Sequence, residues 1–183
     1  SEIKKFDNQI NTMLTENRGR DTLPLIYKLK HINKYNYKAV CIFHSKRSTY
    51  RKDGDILRNN LYNSLFGSRK IVENYLNIFE KNEKVGLIAP TSCLMEHHKY
   101  NMASNEENVK LLSEIIKVDF NYSNFPAGSM FWARPEALTP LLKLNSENFE
   151  IEQGYTDGTL PHSVERMFCI VVRSMGYEVI SVD

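Results

Sequence analysis

Apolar residues occur in two kinds of run along the chain, and each kind predicts one type of element. Short continuous runs at 39–43 and 85–89 have the length and composition of strands buried on both faces of a parallel sheet. Longer segments at 23–32, 56–66, 71–79 and 105–118 carry apolar residues at helical spacing. In the segment 71–79 this spacing predicts an inward face made of Val72, Tyr75, Leu76 and Phe79.

Turn and capping residues divide the C-terminal part of the chain into further elements. Residues 130–133 predict a strand, and Pro135 suits the first turn of a helix that continues to 142. Thr159 can cap a helix that ends at Gly176, and 178–182 predict a closing strand. Because strands alternate with helices, we expect residues 1–183 to form a single α/β domain whose sheet is built through crossover connections.

Composition and charge exclude several classes of function. A chain of 183 residues with 42% hydrophobic residues and a net charge of +2 is an ordinary globular protein, with no need for nucleic acid as a partner. It has no signal-peptide pattern and no apolar run near the length that spans a bilayer. Cys41, Cys93 and Cys169 lack metal or redox spacing, which favours free thiols and a cytoplasmic location. Because the chain begins at Ser1, we expect it to be part of a longer protein.

Two polar segments have the chemistry to bind phosphate. The first precedes a predicted helix and consists of Asn17, Arg18, Gly19, Arg20 and Asp21. The second follows the run 39–43, at the end of a strand where ligands bind in open α/β sheets, and includes His44, Lys46 and Arg47. Each segment is also compatible with a solvated turn or loop.

Two other motifs suggest metal sites but favour simpler interpretations. Asp53 and Asp55 have Asp-x-Asp spacing, yet they follow polar residues instead of a buried strand. We therefore expect a polar turn that caps the helix at 56–66. His97 and His98 are adjacent, so their side chains would point in different directions on a regular element, and a surface loop is the expected location.

The densest group of polar residues lies in the last third of the chain. Asp157 precedes the predicted C-terminal helix, whose first two turns carry His162, Glu165 and Arg166 on one face. Trp132 and the small residues 127–129 are also nearby in sequence, which favours a binding cleft for a polar substrate such as a sugar. The alternative is structural, with Asp157 as a helix cap and a surface pair of Glu165 and Arg166.

The chain resembles the rhamnan synthesis F family, whose members take part in bacterial cell-wall and lipopolysaccharide sugar assembly. The matching segments are 17–21, 44–48, 65–68, 86–90, 125–138 and 157–166. The similarity covers nearly the whole chain in order. It implies transfer of a sugar, often rhamnose, on a three-layer GT-A-like (Rossmann-like) α/β fold. GT-A folds begin with a strand–helix unit that binds the nucleotide base. The chain is expected to lack that unit, so other domains of the parent protein become expected partners.

The resemblance also implies roles for individual residues. Asp157 matches the general base, with Glu165 and Glu152 as alternatives, and direct displacement would invert the anomeric carbon. The donor diphosphate would be bound by 17–21 together with His44, Lys46 and Arg47. These cations follow the strand that carries Asp-x-Asp in GT-A enzymes, so no metal is required, although magnesium or manganese remains an alternative. The sugar or acceptor pocket would include Gly128, Ser129, Trp132, His162 and Arg166.

The partners implied are a thymidine-diphosphate rhamnose or uridine-diphosphate sugar donor and a glycan or lipid-linked glycan acceptor. Such a domain would be cytoplasmic, or peripheral at the inner face of the cell membrane. Two alternatives differ in function. One is a non-catalytic module that binds a glycan or a partner within a larger assembly enzyme. The other is phosphoryl transfer with a metal at Asp53 and Asp55, although the usual phosphate-binding loop motif is absent from the sequence.

Overall fold

The computed structural model describes residues 10–45, 53–98 and 102–183, which form a mixed α/β structure. Its helices are α1 (Thr22–Ile32), α2 (Gly54–Phe66), α3 (Arg69–Lys81), α4 (Glu106–Ile116) and α5 (Leu160–Ser174). Its strands are β1 (Val40–Ile42), β2 (Val85–Pro90), β3 (Leu94–Glu96), β4 (Asn124–Pro126), β5 (Phe131–Ala133) and β6 (Glu178–Val182). The α/β class and most of the predicted helices and strands are therefore confirmed, while the small strands β3 and β4 had no signal in the sequence.

The main sheet is mixed, whereas the sequence predicted a parallel one. Its strand order is β1-β5-β2-β6, with β2 parallel to β6 and β5 antiparallel to both β1 and β2. The reversal follows from the small hairpin beside it. Strand β3 continues from β2, pairs antiparallel with β4, and β4 then leads into β5, so β5 returns antiparallel to β2.

Strand β1 is only partly buried, which corrects the expectation that the run 39–43 is covered on both faces. All three of its residues are half-buried, and Phe43 just beyond it is 57% exposed. The reason is its position, since β1 pairs with β5 on one side and forms an edge of the sheet on the other. In contrast, every residue of the inner strand β2 is buried.

Side chains from the inner strands enter two separate hydrophobic clusters. Leu87 and Phe131 join a large cluster with residues of α1, α4 and α5, while Ile88 and Trp132 join a smaller one with α2 and α3. This alternation is the period of two expected for a strand with packed residues on both faces. On α3 the predicted inward face is only partly correct, because Leu76 is 44% exposed.

The segment Pro135–Lys143 is a 3₁₀ helix, although an α-helix was expected over most of it. Pro140 lies inside it and has no backbone N–H, which disfavours continuous α-helical hydrogen bonding. Asp53 occupies the N-cap position of α2, as expected, but its side chain makes no capping hydrogen bond. The helix begins at Gly54, two residues earlier than predicted, so Asp55 lies in its first turn and pairs with Arg58 at 3.0 Å. In the described segments no helix has the length and apolar character needed to cross a membrane.

Candidate functional site

The turn at 17–21 is hydrogen-bonded to the segment 146–155, which lies far along the chain. The Arg18 guanidinium donates to the carbonyl of Phe149 at 2.9 Å, and the backbone N–H of Glu152 donates to the carbonyl of Asn17 at 3.2 Å. Gly19 has a φ of +61°, and a Cβ there would lie 2.6 Å from Cβ of Leu23. The turn thus needs glycine both for its backbone conformation and for this close approach.

Arg20 joins this turn to the start of α5. It donates to both carboxylate oxygens of Glu152, at 2.9 and 3.2 Å, and to the carbonyl of Tyr155. Its Nη1 also lies 2.8 Å from Nε2 of His162. The predicted phosphate-binding arginines are therefore engaged with protein groups.

Glu152 and His162 are both fixed by local contacts as well. The backbone N–H of Gly154 donates to Glu152 at 2.8 Å, so that carboxylate already accepts from three donors. His162 belongs to a capping box with Thr159, whose hydroxyl lies 2.7 Å from Nδ1 of the ring. Thr159 therefore caps α5 as predicted, and these contacts hold the loop in a defined conformation.

Asp157 is anchored through one carboxylate oxygen. Its Oδ1 accepts from Nδ2 of Asn105 at 2.7 Å and lies 3.5 Å from Nη2 of Arg166. Asn105 is fully buried, and its own Oδ1 accepts from the hydroxyl of Ser163 at 3.1 Å. The side chain of Asp157 is 31% exposed, and Oδ2 has no hydrogen-bond partner among the described residues. One oxygen thus fixes the carboxylate and the other is available.

Glu165 lies between Asp157 and the turn at 127–129. Its Oε1 accepts from the backbone N–H of Gly128 at 2.5 Å, and its Oε2 pairs with Arg166 at 3.1 Å. Burial raises the pKa of the Glu165 carboxyl above its ordinary value of 4.5, and the nearby carboxylates Asp21 and Asp157 add to the increase. Arg166 and the Gly128 N–H oppose the shift only in part.

His44 completes the cluster from the opposite side of the same turn. Its Nε2 donates to the carbonyl of Gly128 at 2.7 Å and lies 3.7 Å from Asp21. Gly128 and Ser129 both have positive φ, of +89° and +54°. A Cβ on Gly128 would meet only Leu61, at 3.6 Å, so its backbone conformation, and not lack of space, favours glycine there.

The structure therefore brings together most of the site residues that the sequence predicted. One group surrounds the turn at 127–129, and the other connects the turn at 17–21 with the start of α5. Their members are Asp21, His44, Gly128, Asp157, Glu165 and Arg166 in the first, and Asn17, Arg18, Gly19, Arg20, Glu152 and His162 in the second. Lys46 and Arg47, expected at the donor diphosphate, lie outside the described residues.

Trp132 does not line this site, which corrects its expected role in the sugar pocket. Its indole is 7% exposed, stacks on Tyr75 with ring centroids 5.5 Å apart, and donates from Nε1 to the carbonyl of Leu65. The side chain belongs to the smaller hydrophobic cluster because β5 directs position 132 to that face of the sheet. Ser129 is also buried, at 7% exposure, and contributes to the turn through its backbone conformation.

His97 is buried instead of lying in a surface loop. Its Nδ1 accepts from the backbone N–H of Ser123 at 2.9 Å, and its Nε2 donates to the carbonyl of Arg166 at 2.8 Å. The ring stacks on Phe125, with centroids 5.2 Å apart. Asn105, like His97, was not predicted to belong to the site, because an asparagine before a helix is normally interpreted as a helix cap.

The thiols are protonated, and the described residues contain no metal-binding cluster. Burial raises the pKa values of Cys41, Cys93 and Cys169 to about 12, so the thiols remain protonated and unreactive near neutral pH. Across the segments that the structure describes, no three or more His, Cys, Asp or Glu side chains are grouped so as to hold a metal ion.

Comparison with known proteins links the chain to polysaccharide assembly. The model of a family described as rhamnan synthesis protein F matches residues 1–177. Two proteins named "Uncharacterized protein WxcX", from two strains of Xanthomonas campestris pv. campestris, are each 37% identical to the chain over 172 residues. The match covers 92% of this chain and 24% of each relative, so the chain spans about a quarter of their length. No solved structure matches the chain.

Proposed function

The chain belongs to the rhamnan synthesis protein F family, and we propose that it is a glycosyltransferase domain of bacterial cell-surface polysaccharide synthesis. In this proposal it transfers a sugar such as rhamnose from a nucleotide-sugar donor to a glycan or lipid-linked glycan acceptor, at the cytoplasmic side of the membrane. The family description ties the chain to rhamnan synthesis. The helices packed against both faces of the sheet are compatible with a three-layer GT-A-like fold.

One observation carries the proposal: four polar side chains converge around the turn at 127–129, namely those of Asp21, His44, Asp157 and Glu165. Asp21, His44 and the pair Asp157 and Glu165 come from three separate parts of the chain, and all four side chains are partly exposed, between 17% and 31%. A set of capping residues would not need a carboxyl such as that of Glu165, whose pKa is raised by burial and, to a smaller extent, by the neighbouring carboxylates Asp21 and Asp157. A site that orients sugar hydroxyls and accepts a proton needs groups of this kind.

Asp157 is the best candidate for the general base among the three carboxylates considered. Glu152 is neutralised by the two-pronged contact with Arg20, and Glu165 has both oxygens engaged by Gly128 and Arg166. Asp157 is anchored through Oδ1 alone and is the most exposed of the three. A carboxylate held by one oxygen has a fixed orientation and still has an acceptor to offer to a substrate hydroxyl.

The reaction that follows is a single displacement. Oδ2 of Asp157 takes the proton of the acceptor hydroxyl as its oxygen bonds to the anomeric carbon, and the bond from that carbon to the donor diphosphate breaks. The charge that develops passes to the departing nucleoside diphosphate, while the sugar passes through an oxocarbenium-like state. Because attack and departure occur on opposite faces of the sugar ring, the anomeric configuration is inverted.

A transfer assay with thymidine-diphosphate rhamnose and uridine-diphosphate sugars tests the proposal. Asp157→Asn is expected to lower turnover by about 10²- to 10⁴-fold, the usual contribution of a general base, with little change in donor binding. Asp119→Asn is the matched control, since Asp119 is exposed and has no contact with the cluster among the described residues. Running each assay with and without manganese tests the proposed independence from a metal.

Equal turnover by Asp157→Asn and the wild type would remove Asp157 as the base. Turnover lost in Glu165→Gln but kept in Asp157→Asn would transfer the role to Glu165. A wild-type protein that binds a glycan but transfers no sugar from any donor would instead support a non-catalytic binding module.

A further inference from the structure

A groove of about 910 Å³ lies between α1 and the edge strand β1. Much of its lining is apolar and includes Leu25, Leu29 and Ile42. Asp21 and His44 line the groove and also belong to the polar cluster around the turn at 127–129. The groove is therefore continuous with the candidate site, and its volume is typical of a small-molecule pocket.

One face of α1 gives the groove both its apolar side and a cation. Leu25, Lys28 and Ile32 follow Asp21 at intervals of four, three and four residues, so they lie along one side of the helix. Lys28 is half-buried, and it has no hydrogen bond or ion pair within the described part of the chain. It differs in this from the cluster's arginines Arg20 and Arg166, which are paired with carboxylates.

Two tyrosines line the groove beyond the C-terminal end of α1. Tyr35 lies next to Tyr37 and next to His31, with ring centroids 5.8 Å apart in each pair. The tyrosines are 53% and 50% exposed, which is high for residues of this size. Exposed aromatic faces beside a groove suit the stacking of a planar heterocycle, and stacking of this kind tolerates different bases.

We propose that this groove binds the nucleoside diphosphate of the donor, with the base on Tyr35 and Tyr37 and the diphosphate at Lys28. The donor sugar then lies at the end of the groove formed by Asp21 and His44. Lys28 is seven positions after Asp21 along the helix, a rise of about 10 Å, which leaves room for a sugar ring between the phosphates and the polar cluster. This inference rests on the proposed function and adds the position of the donor nucleotide, whose base the resemblance had placed on a strand–helix unit that the chain is expected to lack.

The arrangement also accounts for the arginines of the turn at 17–21, which the resemblance had assigned to the diphosphate. Arg18 and Arg20 already donate to carbonyls and to Glu152, so binding a phosphate would require breaking those contacts. Among the described residues, Lys28 has no such contact to lose. Its ammonium can therefore turn toward a phosphate at little cost in existing hydrogen bonds.

Calorimetric titration of the purified chain with uridine diphosphate, thymidine diphosphate and inorganic diphosphate tests the inference. Lys28→Ala is expected to weaken the binding of all three about tenfold or more, because each loses a charged hydrogen bond. The double variant Tyr35→Leu, Tyr37→Leu is expected to weaken the binding of the two nucleoside diphosphates but not that of inorganic diphosphate. Lys34→Ala is the matched control, since Lys34 is exposed just after α1 and does not line the groove.

Two results would overturn the inference. One is nucleoside diphosphate binding that Lys28→Ala leaves unchanged. The other is no binding by the wild-type chain, which would point to a different occupant, such as a polypeptide strand that pairs with the open edge of β1. Turnover measured on the same samples separates the two proposals. Sugar transfer with an unchanged donor KM in Lys28→Ala would contradict donor binding in the groove but not the transferase activity. Nucleotide binding that depends on the groove residues, without any sugar transfer, would contradict the transferase activity but not the groove as a nucleotide site.

Discussion

Nδ2 of Asn105 donates a 2.7 Å hydrogen bond to Oδ1 of Asp157, and this contact couples a fully buried side chain to a partly exposed one. Asn105 is itself fixed on both sides, since it also donates to the carbonyl of Met102 and accepts from the Ser163 hydroxyl. The orientation of the Asp157 carboxylate is thus determined from inside the protein, by a group that no substrate can reach.

Asn105→Ala is therefore expected to lower kcat by roughly tenfold or more while leaving the donor KM nearly unchanged, because it releases Asp157 without touching the donor. Stability should fall by about 1–3 kcal/mol, since buried partners lose their hydrogen bonds. The measurements are steady-state kinetics and urea unfolding. Asn108→Ala is the control, because Asn108 donates to the carbonyl of Gly158 in the same loop but does not contact Asp157. Equal loss of kcat in both variants would contradict the positioning role.

The fold was predictable where the sequence has a clear period and a clear boundary. Helix α5 follows Thr159, a capping residue, and it was predicted to within a residue or two at each end. The antiparallel insertion of β5 was not predictable, because its direction depends on the pairing of β3 with β4. Those strands have three residues each, which is too short for a periodic signal.

The candidate site was predictable in its membership but not in its internal contacts. Charged residues such as Asp157 and Glu165 stand out in sequence because they surround glycines ahead of an apolar helix. The contact partner of each charged residue, however, depends on the tertiary structure. The ion pair of Arg20 with Glu152 spans 132 residues, and no local pattern encodes it. The residue types therefore identified the chemistry, whereas the fold determined which groups remain available to a ligand.

Trp132 also shows that the surroundings of a side chain could not be predicted from the local sequence, and it gives a second testable prediction. A tryptophan among small residues suggested a sugar-stacking surface, yet its indole is buried and donates to Leu65 at 3.0 Å. Trp132→Phe is expected to reduce stability by about 1–3 kcal/mol, through the unpaired carbonyl and the smaller ring, with unchanged donor and acceptor KM values. Thermal unfolding and kinetics measure the two effects. A raised acceptor KM without loss of stability would restore the sugar-binding role.

Gly19 and Gly154 provide a matched pair for the turn at 17–21. Both have positive φ, of +61° and +81°, but a Cβ at 19 would meet Leu23 at 2.6 Å and Phe149 at 2.9 Å, whereas nothing lies within 4 Å at 154. Gly154→Ala is expected to cost about 1 kcal/mol from backbone strain alone. Gly19→Ala should cost about 2–4 kcal/mol, because overpacking adds to the same strain. Urea unfolding of both variants measures the difference, and equal costs would show that the turn can move away from Leu23.

The pH dependence of stability should depend on His97. Burial lowers the pKa of this imidazole below its ordinary value of 6.5, and the charges of Arg166 and Arg173 lower it further. The neutral ring fits its surroundings, because Nδ1 must accept from Ser123 while Nε2 donates to Arg166. Since the unfolded chain binds this proton more readily than the native one, His97 favours the folded state fully above pH 6.5. That contribution is lost as the pH falls from 6.5 toward the lowered native pKa.

Replacing His97 by asparagine should therefore flatten the stability profile in this acidic range. In His97→Asn the side-chain oxygen can still accept from Ser123, but the donor to the Arg166 carbonyl is lost, so stability should fall by about 1–3 kcal/mol at neutral pH. Its further decline between pH 6.5 and 5 should be smaller than that of the wild type, as measured by urea unfolding at each pH. His98→Asn serves as the control, because His98 is the exposed neighbour. If the profiles of the wild type and His97→Asn were parallel while that of His98→Asn was flattened, the acid sensitivity would belong to His98 and the proposed role of the buried ring would be wrong.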